Sequence, residues 1–268
     1  MGPDSVRPRW GAGETAFAAW LSLESPAAAA AVASAGFDAV VVDLQHGHAT
    51  LADLPGLSAA LESSPAVPFV RTAWNDPADL MRSLDLGFRG AICPMVGSRA
   101  EAEAFVGACR YPPVGTRSYG PIQSAFGRGR DHTRTAEEVI LLFAMIETAE
   151  GLANLDEIAS TPGLDGLFVG PADLGLGLGL DTFADLTDPP LLAALDSVIA
   201  VALDHDLVPG IHAPSPPDAA AMARRGFRFV SCAVDEELLR YAADVALRDT
   251  RGAETRGAQR TRSPSDTG

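Results

Sequence analysis

The chain has 268 residues, 47% of them apolar, and a formal net charge of −15. That is enough apolar material for one large buried core and excludes a disordered chain. The acidic balance argues against a broad nucleic-acid surface, and no apolar run approaches the roughly 20 residues of a membrane span.

Two residue counts narrow the chemistry. All 20 basic residues are arginine, so neither a lysine Schiff base nor a P-loop lysine is available. The three cysteines, Cys93, Cys109 and Cys232, are odd in number and widely spaced; they read as buried small hydrophobes, not as disulfides or metal ligands. The opening "MGPDSVRPRWGAGETAF" has no charged-then-apolar leader, so a cytoplasmic location is the expectation.

Along the chain, short β-branched and aromatic runs alternate with alanine-rich ones. Strands are expected at Thr15–Leu23, Phe37–Leu44, Val67–Arg71, Gly90–Val96, Val139–Ile146, Leu164–Val169, Val208–His212 and Phe227–Val234. Helices are expected at Pro26–Ala35, Leu51–Leu61, Pro77–Leu86, Arg99–Cys109, Gly151–Ser160, Pro190–His205, Pro217–Arg225 and Glu236–Arg248. Tyr111–Arg134 is a long glycine- and arginine-rich loop, a length that points to function. Residues 1–252 form the expected domain, and the polar tail 253–268 is expected to be unstructured. Eight strand–helix units with continuously apolar strands imply parallel pairing and a single-domain (β/α)8 barrel of the α/β class. A doubly wound open sheet is the structural alternative.

Barrels of this kind carry their active sites at the C-terminal ends of the strands. Polar residues fall there. "DLQHGH" after the second strand supplies Asp43, Gln45, His46 and His48; Arg71 ends the third; Glu147, Asp173, His212 and Asp235 follow the fifth to eighth. Each has a bland reading: Asp173 as a helix cap, Glu147 as a helix N-terminal charge, His46 as a core histidine, Arg71 as a surface ion-pair partner. Together they make a site. Two carboxylates, Glu147 and Asp173, suit a hard divalent ion such as Mg²⁺ or Mn²⁺ that keeps positions open for a 2-oxo acid. Arg71 would face the developing oxyanion, and His46 would move protons.

"LDGLFVGPADLGLGLGL" (Leu164–Leu180) lacks the lysine and hydroxyl of a P-loop and the spacing of a dinucleotide fingerprint. Gly170 and Pro171 turn the chain, and the backbone N–H groups of Ala172 and Asp173 are expected to face the site and hold a carboxylate.

These segments resemble the HpcH/HpaI aldolases. The likeness spans roughly Thr15–Leu239, through "VVDLQHG", "VRTAWNDPADLMRSLDLGFRGAICPMV", "CRYPPVGTRSYGP", "ETAEGLANLDEIASTPGLDGLFVGPADLGLGLG" and "GFRFVSCAVDEELL". The pairing of "DLQHG" with "GPADL" is the specific part. The resemblance implies a class II, metal-dependent pyruvate aldolase acting on a 4-hydroxy-2-oxo acid, with Mg²⁺, Mn²⁺ or Co²⁺ on Glu147 and Asp173. It makes His46 the acid/base group, Asp85 its orienting partner and Arg71 the enolate contact. It places the substrate carboxylate at Gly170, Ala172 and Asp173. It also implies a homohexamer, a trimer of dimers exchanging C-terminal helices. Two departures stand out: Met145 occupies a position where such aldolases tend to carry glutamine, and "GTRSYGPIQSAFGRGR" differs from the "RGxG" form. Alternatives on the same scaffold are an oxaloacetate-decarboxylating synthase and a citramalyl-CoA-type lyase, for which Arg128, Arg130 and Arg134 would bind phosphates. A non-catalytic metabolite-binding barrel is the alternative of another class.

Overall fold

The computed structural model describes residues 6–120, 132–181 and 184–260. Eight parallel strands close into a barrel in sequence order, each pairing with the next and β8 with β1. The chain runs α1 (Val6–Gly11), β1 (Ala16–Leu21), α2 (Pro26–Ala33), β2 (Ala39–Asp43), α3 (Leu54–Leu61), β3 (Val67–Arg71), α4 (Pro77–Asp85), β4 (Gly90–Cys93) and α5 (Arg99–Cys109). It continues with α6 (His132–Val139), β5 (Leu141–Ile146), α7 (Ala149–Ala153), α8 (Leu155–Ala159), β6 (Gly166–Val169) and α9 (Pro171–Gly177). It ends with α10 (Pro189–Asp204), β7 (Val208–His212), α11 (Pro216–Arg225), β8 (Phe229–Val234) and α12 (Asp235–Arg260). The (β/α)8 expectation is met, and the open sheet is excluded by the β1–β8 pairing.

Local chemistry sets the helix starts. Ser25, Asp76 and Ser98 accept hydrogen bonds from first-turn N–H groups of α2, α4 and α5, with proline opening α2 and α4. Strand alternation then splits the apolar residues in two. Val40, Val42, Val70 and Leu142 pack outward against the helices. Ala18, Val41, Phe69, Phe143, Phe168 and Phe229 fill the barrel. The register sets each interior phenylalanine beside a glycine on the neighbouring strand: Phe69 with Gly90, Phe143 with Gly166, Phe168 with Gly210. A β-carbon at any of the three glycines would collide with its phenylalanine ring.

Trp10 of α1 closes the end of the barrel where the strands begin. Its ring lies edge-on to Phe143 and Phe229, and its Nε1–H donates to the Arg228 carbonyl at 2.8 Å. Arg7 and Arg110 both reach Asp165 beside it. Ligand access is therefore left to the opposite end.

Several boundaries differ from expectation. The expected helix Gly151–Ser160 breaks into α7 and α8 at Asn154, whose side-chain amide donates to the Gly97 carbonyl at 2.8 Å. Helix α6 takes up the end of the expected Tyr111–Arg134 loop and the first residue of the expected fifth strand. Residues 121–131 lie outside the described residues. The final helix runs to Arg260, so residues 253–260 are helical where no structure was expected; residues 261–268 lie outside the description. That stretch is poor in large apolar residues, but its two alanines, two arginines, Glu254 and Gln259 are good helix formers.

Gly166→Ala should destabilise the protein by about 2 kcal/mol or more, because the new methyl meets both the Phe143 ring and the rigid Val208 carbonyl. Chemical denaturation measures it, and a variant as stable as the parent would contradict this account of the interior.

Candidate active site

The barrel's inward rows carry their chemistry on the last rung. Ala39 and Val41 are followed by Asp43, Val67 and Phe69 by Arg71, and Val208 and Gly210 by His212. These rungs open on a cavity of about 520 Å³ at the C-terminal end of the strands. His46, Arg71, Gly170, Ala172 and Asp173 line it, as the sequence predicted. Glu147 lies just beneath, 2% exposed, with its Oε2 filling the space a side chain at Gly170 would need. Glycine at 170 is thus required by the carboxylate on the adjacent strand.

Asp43 and Arg71 are direct register partners on β2 and β3. The Arg71 Nε–H donates to Asp43 Oδ1 at 2.8 Å and Nη2 to Oδ2 at 2.6 Å, a bidentate pair. Trp20 adds its Nε1–H to Oδ2 at 3.1 Å, and its ring lies beneath the guanidinium carbon at 5.0 Å. The backbone N–H groups of Gln45 and His46 also donate to Oδ1. Burial alone would raise the Asp43 carboxyl, but Arg71, Trp20 and the Gln45 N–H together hold it below its ordinary value. Gly47 is needed where the chain turns after His46, since a β-carbon would strike the Asp43 carbonyl.

Glu147 is in the opposite electrostatic condition. Its Oε1 accepts from the Met95 N–H at 2.7 Å, while Oε2 is buried with no hydrogen-bond partner. Burial pushes the carboxyl up to about 7; the Met95 bond opposes this, and the negative charge of Asp173 adds to it. A buried carboxylate with an orphan oxygen beside a second carboxylate fits a divalent cation. Among the described residues no cluster of three or more His, Cys, Asp or Glu side chains gathers. Two carboxylates alone would leave the other coordination positions to water and substrate.

One assigned residue lies elsewhere within the chain. Asp85 does not line the cavity, and its carboxylate accepts from Arg117 Nη2 at 2.6 Å. The physical reason is topological: α4 runs back from the C-terminal end of β3, so its last residue lies toward the far end of the barrel from His46 of the same chain. Asp235 is likewise occupied, accepting from the Ser22 and Leu23 N–H groups at the end of β1. Met145 does line the cavity. Arg128 and Arg130 lie outside the described residues, as does the side chain of Arg134.

Sequence reasoning passed over three participants. Asp43 and His212 were seen at strand ends but given no role, and Trp20 was read only as part of a strand. Counting in steps of two along each strand would have found all three on the inward face.

Two outcomes follow. Asp43→Asn should cost about 3 kcal/mol in denaturation, because it leaves Arg71 buried without a counter-charge; an unchanged midpoint would refute the pair's structural role. The folded-state value of Glu147, about 7, lies above its ordinary 4.5. In metal-free protein its contribution to stability is therefore present at low pH and lost as pH rises through about 7. Adding Mn²⁺ should raise Tm more at about pH 8 than at about pH 5.5, where a proton competes for the site. Glu147→Gln should abolish that difference, and equal gains at both pH values would count against a cation at Glu147.

Comparison with known proteins supplies the family. The family model for HpcH/HpaI aldolase/citrate lyase matches residues 17–242. A hydroxypyruvate/pyruvate aldolase of Rhizorhabdus wittichii is 40% identical over 92% of this chain and 99% of its own length. A 4-hydroxy-2-oxo-heptane-1,7-dioate aldolase of Escherichia coli is 33% identical, covering 87% of this chain and 90% of its own. A crystal structure of an HpcH/HpaI aldolase/citrate lyase family protein from Burkholderia cenocepacia superimposes with a TM-score of 0.85, at 31% identity over 92% of this chain and 99% of the other. With a family match over most of its length and the barrel to go with it, the chain belongs to the HpcH/HpaI aldolase/citrate lyase family.

Proposed function

We propose that this carbon–carbon lyase cleaves a 4-hydroxy-2-oxo acid into pyruvate and an aldehyde through an enolate. One observation carries the reading: the orphan Oε2 of buried Glu147 lies against Gly170, at the edge of a cavity that Asp173 and the Arg71 guanidinium line. The aldolase names of the curated relatives support it.

Glu147 and Asp173 would hold the divalent ion, Mg²⁺, Mn²⁺ or Co²⁺. When bound, it supplies a Lewis acid that polarises the ketone and offsets the enolate's charge. Arg71 adds to this from the side. Its Nε–H and one Nη2–H are spent on Asp43, which leaves Nη1 and the second Nη2–H for the substrate oxygen at a fixed angle. The first-turn N–H groups of Ala172 and Asp173 have no intrahelical acceptor and take the substrate carboxylate. His46 lies across the cavity and takes the C4 hydroxyl proton as the C3–C4 bond breaks, then returns a proton to C3. Asp85 has no part in this within one chain.

Exposed Leu238, Leu239, Tyr241 and Leu247 on α12 support association with a second copy through that helix, as the hexamer expectation requires. No helix among the described residues is long and apolar enough to cross a membrane.

Glu147→Ala and Asp173→Ala should each abolish aldol cleavage in folded protein, and EDTA should do the same to the parent; full activity in any of the three would end the metal reading. Arg71→Lys keeps the charge but loses the fork to Asp43, so kcat should fall by about 10²-fold or more. Near-normal exchange of pyruvate methyl protons with D₂O in that variant would show the role is misassigned. His46→Ala should slow aldol cleavage by about 10²–10⁴-fold and oxaloacetate decarboxylation much less, because loss of CO₂ needs no hydroxyl proton removed. Equal losses would make His46 a structural residue.

A further inference from the structure

The wall formed by β7, β8 and β1 presents Trp20, Val234 and His212, with Ser22 and Glu237 just past the ends of β1 and β8; of its polar groups, His212 is the one borne on a strand. His212 and Ser231 are register partners, and the Ser231 hydroxyl lies 2.7 Å from His212 Nδ1. Ser231 is 1% exposed, and among the described residues its hydroxyl has no other side-chain partner. Both groups are satisfied only if the hydroxyl donates to Nδ1, which puts the imidazole proton on Nε2. The Trp20 ring, edge-on at 5.0 Å, holds the imidazole in place. Nε2 finds no protein partner among the described residues, yet it is not sealed from solvent, so it opens on the cavity. Burial first, and the positive charge of Arg71 second, depress this histidine to about 4, with Asp43 opposing them. At neutral pH it is an uncharged donor.

We infer that His212 is a specificity residue of this chain, whose Nε2–H donates to a hydroxyl on the third carbon of the 2-oxo acid, so that the cavity favours hydroxypyruvate-class acids over pyruvate. The inference rests on the enolate reading above. There the carboxylate and ketone oxygens of the acid are already taken by Ala172, Asp173, the ion and Arg71. The third carbon is then the part left to meet the β7–β8–β1 wall. A methyl there would strip water from Nε2–H and give nothing back, whereas a hydroxyl restores the bond.

The test uses the full chain with Mn²⁺ and glycolaldehyde as acceptor, and compares kcat/KM for hydroxypyruvate with that for pyruvate. His212→Leu should lower the hydroxypyruvate-to-pyruvate ratio by about tenfold, the worth of one hydrogen bond. His212→Gln keeps a neutral donor and should lose less. Ser231→Ala frees the tautomer and should move the ratio in the same direction as His212→Leu. Should His212→Leu fail to fold, as judged by circular dichroism, the other two variants carry the test. A ratio unmoved in the folded variants overturns the assignment. Proton exchange at C3 in D₂O separates the two levels. Exchange of neither acid by the parent enzyme defeats the enolate reading and this inference with it. Exchange of both, with an unmoved ratio, defeats only the role of His212.

Discussion

The site depends on the two hydrogen bonds between Asp43 and Arg71. They join the last residues of adjacent strands, and each of the surrounding groups is placed relative to them. Trp20 lies under the guanidinium and bonds the carboxylate; the chain carrying Gln45 and His46 turns back onto Oδ1. A free arginine could swing among rotamers and follow solvent. Bound at two of its nitrogens, it offers the cavity one direction and one charge, and a preorganised charge of this kind does not have to reorient as the substrate's oxygen becomes anionic. The same carboxylate that fixes Arg71 also fixes the backbone of His46, so the electrostatic and proton-transfer halves of the site share an anchor.

Across the cavity the physics reverses. Asp43 has more donors than it needs, while Glu147 has one N–H and an oxygen facing nothing. A carboxylate left this way is a standing cost to the fold, offset by a closely filled barrel: the phenylalanine–glycine pairs fill its interior, and Trp10 closes the end where the strands begin. The contrast between the two carboxylates is what makes them different tools. One is held ionised by protein cations and donors; the other is left short of positive charge and so selects a cation from solution.

Much of this was legible in the residues themselves. Two strands and one helix, at Val67–Arg71, Val208–His212 and Arg99–Cys109, fall where the alternation of apolar and alanine-rich runs placed them. The cavity gathers His46, Arg71, Gly170, Ala172 and Asp173 because polar residues after buried strands have only the barrel mouth to occupy. Misjudgements came where neighbours overrode local pattern. Asn154 breaks a helix to reach the Gly97 carbonyl, and α12 continues through a polar stretch to Arg260. Asp85 was placed by motif, and within one chain its carboxylate meets Arg117.

What the sequence determined alone was the alternation, eight buried strands each followed by a helix, and the absence of lysine, which removes Schiff-base chemistry whatever the fold. Apolar period and residue type are properties of the chain and survive without contacts. What only the tertiary structure decided was partnership: that Asp43 takes Arg71, that Arg117 takes Asp85, that Ser231 meets Nδ1 of His212, and that one oxygen of Glu147 is left without a donor. Those choices follow from strand register and helix direction, which bring together residues 19 to 32 positions apart, and no local pattern encodes which of several strand-end groups will lie within 3 Å of another.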